Sequence, residues 1–304
     1  MRRPVVVFPA LAVTLSVGLG LGLAGCAGTP AKAGAVSAAP SVPSIATGGA
    51  TATSASRPKP SESTEPSESP KPSDPSPAAD GPLRGKTVVI DPGHNIHNQE
   101  HPAEIDRQVD VGNGHKECDT TGTSTNSGYA EATFSLDVAH RLRTILQGRG
   151  ATVVLTHDGD RPYGPCVTER AEIGNKAHGD AAISIHADGA SAGDRGFHVI
   201  QPAAVRAGGI DNSAIVAPSK ELGARIAGNF VRATGSAPSN YIGGGTGLDT
   251  RSDLGGLNLS TIPKVFIECG NMRDPQDAAL LTDGSWREKA AQGIADGITD
   301  FLHG

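Results

Sequence analysis

Two histidines and two glutamates, each tied to an apolar run, are the residues of this chain best suited to chemistry. His94 closes Thr87-Val-Val-Ile-Asp-Pro-Gly-His94, Glu131 follows Tyr129-Ala130, His186 closes Ile183-Ser-Ile-His186, and Glu268 closes Val265-Phe-Ile-Glu268. Two imidazoles and one carboxylate are a ligand set of catalytic zinc, which keeps a fourth position for water. A further glutamate on a neighbouring strand end suits removal of that water's proton. The chemistry of such a set is hydrolysis.

Taken singly, each residue has an ordinary explanation. A strand-end histidine is more often a surface or core residue than a ligand, and an acid such as Glu131 is favoured in a first helical turn by the helix dipole. The hydrolytic reading therefore needs elements that bring the four together. Residues 86–91 form a β-branched run stopped by Pro-Gly, which reads as a buried strand. Over 131–146, Phe134, Val138, Leu142 and Ile145 recur at helical spacing, with Gly148 and Gly150 as terminators. Residues 151–156, 180–186, 196–200 and 264–268 read as further strands, and 167–177, 219–234 and 285–302 as helices. This alternation predicts a single α/β domain with a largely parallel central sheet flanked by helices. In such sheets binding sites gather beyond the carboxyl ends of the strands, where His94, His186 and Glu268 all lie. The polar stretch 95–127, with His97, His101 and His115, is a long loop of the kind that is functional or mobile.

The ends of the chain describe its setting. Arg2 and Arg3 precede an apolar stretch, residues 5–23, that closes on Leu23-Ala-Gly-Cys26. Residues 1–26 thus read as a signal peptide, and the Leu-Ala-Gly-Cys ending resembles a bacterial lipobox, with Cys26 as the acylated residue. Residues 27–82 are Ala, Ser, Thr, Pro and Gly with almost no large apolar side chain. Such a segment cannot bury enough surface to fold and reads as a disordered tether. Residues 83–304 form the expected catalytic domain. A net charge of −6 gives no reason to expect a nucleic-acid partner. Of the remaining cysteines, Cys118 and Cys166 sit in polar loops while Cys269 follows an apolar strand. Cys118–Cys166 is the preferred disulfide, export permitting, and Cys269 reads as a free core residue.

The strand ending in Asp-Pro-Gly-His94, Glu131 opening a long helix, Ser184-Ile-His186-Ala187 and Ile267-Glu268-Cys-Gly270 together resemble the motifs of type-3 zinc-dependent N-acetylmuramoyl-L-alanine amidases, in that family's order. The resemblance covers essentially all of residues 83–304. Thr123-Ser-Thr-Asn-Ser-Gly-Tyr129, Gly196-Phe-His198, Arg251-Ser-Asp-Leu254 and Gly256-Leu-Asn258 resemble its actinobacterial branch, in which cysteines matching Cys118 and Cys166 are paired. The resemblance implies a phosphorylase/hydrolase-like fold, zinc on His94, Glu131 and His186, and Glu268 as the acid/base. It implies hydrolysis of the amide between the lactyl group of N-acetylmuramic acid and the L-alanine of the stem peptide. Peptidoglycan or its fragments would be the partner of a monomeric enzyme, lipid-anchored on the outer face of the cytoplasmic membrane.

Several residues keep two readings. Asp91 either orients His94 or caps a turn. Arg170 either pairs with a carboxylate or meets substrate. Arg251 and Asp253 are candidate substrate contacts or a pair that stabilises a loop, and His198 faces either side of its strand. Gly270-Asn271-Met272 departs from the family's common pattern, so Asn271 is expected to alter the wall of the site. The rival functions are a zinc peptidase acting within the stem peptide and a non-catalytic muropeptide-binding lipoprotein. The segment 201–218 is too short and too rich in Gly and Pro for an inhibitory helical insert.

Overall fold

The computed structural model describes residues 80–304; the expected signal peptide, Cys26 and nearly all of the tether lie outside the described residues. The first strand, β1 (Thr87–Pro92), is followed by a turn of 3-10 helix (Asn98–Glu100), α1 (Pro102–Ile105) and an antiparallel hairpin of β2 (Gln108–Asp110) and β3 (His115–Glu117). Next come α2 (Glu131–Gly148), β4 (Thr152–Leu155), α3 (Val167–Lys176), β5 (Ala181–Asp188) and β6 (His198–Pro202). A second hairpin, β7 (Arg206–Ala207) with β8 (Ile210–Asp211), leads into α4 (Ser213–Thr234). The chain ends with β9 (Leu248–Arg251), α5 (Gly255–Asn258), β10 (Lys264–Asn271), α6 (Pro275–Leu281) and α7 (Gly284–His303).

Six strands form the central sheet in the order β4-β1-β5-β10-β6-β9. The first four are mutually parallel, β6 runs antiparallel to β10, and β9 is parallel to β6. The expected α/β domain with a largely parallel sheet is thus observed. Strand alternation sorts its two faces. Val88, Ile90, Ile183, Ile185, Val265, Ile267 and Val199 turn to one face and pack with Phe134, Val138 and Leu142 of α2, Ile226 and Phe230 of α4, and Ile294 and Ile298 of α7. Each such large apolar side chain contributes roughly 1.5–3 kcal/mol on burial, so this layer anchors the domain. The residues of opposite parity form a graded second face. Val89 and Ala182 pack with Ile262 at its lower end. Asp91, Ser184 and Lys264, all buried, come next, and His186, Phe266 and Glu268 follow towards the carboxyl ends of β5 and β10.

Three elements differ from the sequence-based expectation. Helix α4 begins at Ser213 rather than 219 and contains Pro218. A proline in the second turn removes one backbone hydrogen bond, and burial of Ile215, Ser219 and Leu222 along one face carries the helix through it. An edge strand absent from the expected set, β9, pairs in register with β6 from Val199–Leu248 to Pro202–Arg251. The polar stretch 95–127 is folded rather than open, because its β2–β3 hairpin is clamped by its surroundings. Asn258 Nδ2 donates to Val111 O (3.1 Å) and Asn113 Nδ2 to Ser252 O (2.7 Å).

Cys118 and Cys166 are bonded, closing a sequence separation of 48 residues, and Cys269 is buried and free, both as expected. The cross-link joins the end of the hairpin to the start of α3, where Val167 N also donates to Cys118 O at 2.7 Å. Loop closure of this length predicts that replacing both cysteines by serine lowers unfolding free energy by about 2–4 kcal/mol. Urea denaturation of parent and double variant measures this; coincident midpoints would refute it.

Candidate metal centre and active site

Glu131 is the first residue of α2 and is buried. Its Oε1 lies 3.2 Å from His94 Nε2 and 2.9 Å from His186 Nδ1, and one ligand atom from each residue falls within 4.8 Å of the others. Zinc bonds of about 2.0–2.1 Å in a tetrahedron place ligand atoms about 3.3 Å apart, so donor type and spacing both fit that ion. Among the described residues no other group of His, Cys, Asp and Glu meets this criterion. Ala187 N donates to Glu131 Oε1 (3.2 Å) and Thr123 N to Oε2 (2.9 Å), fixing the carboxylate plane.

The backbone makes room for this cradle. His94 has φ +60°, a left-handed conformation that costs a non-glycine residue of order 1–3 kcal/mol and persists only where its surroundings impose it. Here Arg170 Nη2 donates to His94 O (3.1 Å), and Asn95 Nδ2 donates to Gly164 O (3.0 Å). A Cβ on Gly93 would lie 2.3 Å from the His186 ring. Glycine at that position is what allows the two strand ends to converge.

Hydrogen bonds assign the imidazole tautomers. His94 Nδ1 faces Thr120 O at 3.0 Å; a carbonyl can only accept, so Nδ1 carries a proton and Nε2, beside Glu131, is the nitrogen that a metal in the cradle would take. His186 Nε2 faces Ser184 Oγ at 3.2 Å, and that hydroxyl donates onward to Asp91 Oδ2 at 3.0 Å. With a metal in the cradle His186 would donate from Nε2 and coordinate through Nδ1, the atom that here faces Glu131 Oε1 at 2.9 Å. Asp91 also accepts from Thr156 Oγ1 (2.7 Å), Arg170 Nη1 (2.9 Å) and Lys264 Nζ (2.8 Å). Arg170 Nη2 reaches Asp119 Oδ2 (2.8 Å), whose other oxygen is 3.5 Å from His94 Nδ1. Both histidines are thus braced by one buried ion cluster centred on Asp91. Arg170 takes its structural reading, and Asp91 contacts the partner of His186 rather than His94.

Charge in the site follows from these neighbours. Burial alone would raise the Asp91 carboxyl, but Lys264 and Arg170 hold it well below the usual carboxylate range. Burial opposes charge on His94, yet the Glu131 and Asp119 carboxylates outweigh it and raise the imidazole to about 10. A metal entering at neutral pH must expel that proton. Glu268 shifts the other way: burial first, then the Glu131 and Asp188 carboxylates, push it well above the carboxylate range. A divalent cation in the cradle supplies the positive charge such an acid needs to ionise near neutrality. Glu268 Oε2 is buried without a hydrogen-bond partner, and Glu268 lines with His94, Glu131 and His186 a cleft of about 300 Å³.

The four residues singled out at the start therefore converge. Arg251 and Asp253 come near them but pair with each other, Nε to Oδ1 at 2.9 Å and Nη2 to Oδ2 at 2.7 Å. Arg251 lines the cleft that holds Glu268, whereas Asp253, also bonded to Lys116 at 3.3 Å, lines an adjoining cavity of about 210 Å³. Asn271 does not stand in the wall of the cleft, contrary to expectation. It is fully buried, and its Nδ2 donates to Ser191 O (2.9 Å) and Asp194 O (2.5 Å), holding a loop in place. Lys264, Asp119 and Thr120 escaped the sequence reading. Lys264 had a signal, because lysine in an apolar strand is rarely buried without a partner.

A sheet whose strand ends bring a further carboxyl into one cleft with a cradle of two imidazoles and a carboxylate is the framework of a hydrolase, and comparison with known proteins narrows the class. Residues 88–300 match the N-acetylmuramoyl-L-alanine amidase family. An N-acetylmuramoyl-L-alanine amidase of Mycobacterium tuberculosis is 43% identical over 225 residues, 72% of this chain and 88% of that protein. The crystal structure of an N-acetylmuramyl-L-alanine amidase from Mycobacterium smegmatis aligns with TM-score 0.67 at 39% identity, covering 73% of this chain and 98% of the other. The apo form of one from Mycobacterium abscessus aligns with TM-score 0.66 at 40% identity, covering 72% and 100%. The chain belongs to the N-acetylmuramoyl-L-alanine amidase family, and the expected actinobacterial branch agrees with these relatives.

Two substitutions test the cradle. Ser184→Ala cuts the link between His186 and Asp91 while leaving the ion cluster charged, and is expected to weaken zinc binding about 10–100-fold; competition with a chelator measures it, and parent-like affinity would contradict the bracing role. Gly93→Ala drives a methyl into the His186 ring and is expected to abolish metal binding at the candidate site while the circular-dichroism spectrum stays that of the parent.

Proposed function

We propose that this chain hydrolyses the amide between the lactyl group of N-acetylmuramic acid and L-alanine of the peptidoglycan stem peptide, using zinc held by His94, Glu131 and His186 and Glu268 as general base and acid. The observation that carries this reading is the half-buried Glu268 lining one cleft with those three residues. Zinc, when bound, supplies a Lewis acid for the scissile carbonyl and lowers the pKa of water towards neutrality. Glu268 takes the proton of the attacking water and passes it to the departing amine of L-alanine. To serve as ligands both imidazoles would have to present a lone pair to the metal, and Thr120 O and Ser184 Oγ stand at the outer nitrogens of His94 and His186 to orient the rings. Arg251, beside Glu268 and braced by Asp253, is assigned to a carboxylate or amide of the stem peptide, with Asp253 as its partner in that contact.

The proposal extends to the chain's setting. Residues 1–26 are assigned as a lipoprotein signal ending in acylated Cys26, 27–82 as a tether, and 83–304 as the catalytic domain. The enzyme then works as an exported monomer held at the outer face of the cytoplasmic membrane, facing the cell wall. Among the described residues no helix is long and apolar enough to cross a membrane; the attachment is assigned to Cys26.

Mass spectrometry of digested muropeptides, parent against Glu268→Ala, with metal analysis of both, tests the function. The parent should create new N-terminal L-alanine and carry one zinc per chain. The variant should keep its zinc and lose activity by about 10²–10⁴-fold, the usual worth of a general base. Released D-alanine without new N-terminal L-alanine would favour a peptidase. Equal release by parent and variant would favour a non-catalytic binder.

A further inference from the structure

His198 is 1% exposed within a strand, and nothing in the reaction described above uses it. Along β6, Val199 enters the main core with Val265 and Ile267, which turns His198 and Ile200 towards the cleft face; Ile200 lines the cleft itself. His198 is the register partner of Glu268 across the antiparallel β10–β6 pair. Directly opposite residues on one face of such a pair hold their Cβ atoms about 4.5–5.5 Å apart. His198 Nδ1 and Glu268 Oε2 are both buried and both lack a hydrogen-bond partner. Two unsatisfied polar atoms on neighbouring side chains of one sheet face are an unusual coincidence, because buried polar groups are normally paired with protein or with ordered water.

We propose that His198 is a positioning residue for Glu268, its neutral imidazole donating from Nδ1 through one buried water to Glu268 Oε2. The assignment rests on the amidase reading, since it gives Glu268 the role of base. Held at Oε2, the carboxyl keeps Oε1 directed at the attacking water and does not turn away between proton uptake and proton release. The surroundings keep the imidazole neutral: burial depresses its pKa first, and the Arg251 charge acts in the same direction against Asp188 and Asp249. The ring itself is fixed from the side. Tyr241 meets it edge-on, with centroids 6.0 Å apart and planes at 87°, while the Tyr241 hydroxyl donates to Asp188 Oδ2 at 2.8 Å. Asp188 lines the same cleft as Glu268, so Tyr241 ties that wall to the ring of His198.

Histidine 15N NMR on the zinc-loaded full chain decides the assignment without turnover. The expected result is a neutral His198 protonated at Nδ1 whose ring-nitrogen shifts change in Glu268→Ala. A neutral ring protonated at Nε2, or shifts that ignore Glu268→Ala, would overturn it. Kinetics supply the second arm. Asparagine places an amide N–H near the position of Nδ1, so His198→Asn should keep kcat within about threefold of the parent, whereas His198→Leu should lose about 10–100-fold in kcat with KM little changed. Equal losses in the two variants with zinc content retained would mean that His198 only packs the core, and would overturn the proposal. If the parent releases no N-terminal L-alanine, the amidase reading fails by itself, and the NMR result still decides whether His198 and Glu268 are coupled.

Discussion

A single buried carboxylate organises this domain. Asp91 is 1% exposed and accepts hydrogen bonds from Thr156, Arg170, Ser184 and Lys264, residues that belong to four separate parts of the chain. Removing a carboxylate and two cations from water is expensive, and only near-complete pairing returns the cost. The pairing here is close to complete, so β1, β5 and β10, which carry Asp91, Ser184 and Lys264, and α3, which carries Arg170, are held in one relation below the site. The histidines stand one step further along the same strands, and their outer nitrogens lead back to this cluster. The site is therefore a continuation of the ion cluster and not an addition to the surface of the fold.

The arrangement explains why the two faces of the sheet differ. The face covered by α2, α4 and α7 is filled with buried aliphatic and aromatic side chains. The other face grades from small apolar residues through the ion cluster to the cleft. The candidate site residues on it are rooted in strand and helix ends and line a cleft. Glu131 illustrates this economy, being at once a first-turn acid favoured by the dipole of α2 and the carboxylate that both imidazoles address.

Much of this was legible in the sequence because it depends on local pattern. The parity of Ile183-Ser-Ile-His186 and Val265-Phe-Ile-Glu268 assigns Ser184, His186, Phe266 and Glu268 to one face, and the strand-then-Pro-Gly run identifies the turn that carries His94. What stayed hidden depends on contacts distant in the chain. Lys264 meets Asp91 across 173 residues, and no spacing rule anticipates that. Asn271 follows Glu268 closely enough to suggest a place in the cleft wall, yet a register irregularity between Glu268 and Asn271 accompanies its turn towards the 191–194 loop. β9 lacks an apolar run of its own because it is an edge strand, and α4 was shortened in prospect by Pro218, a residue that buried neighbours overrule. For His198 the sequence left two faces open, and the register with Glu268 chose between them.

The disulfide has a further consequence in time. Cys118 directly precedes Asp119, and Cys166 caps the helix that carries Arg170, so the cross-link spans the two halves of the brace behind His94. A chain still in a reducing compartment lacks that bond, and Asp119 and Arg170 must then find each other across a free loop. Oxidation after export fastens them together. The covalent link thereby ties the firmness of the brace behind the candidate metal ligand His94 to an oxidising setting.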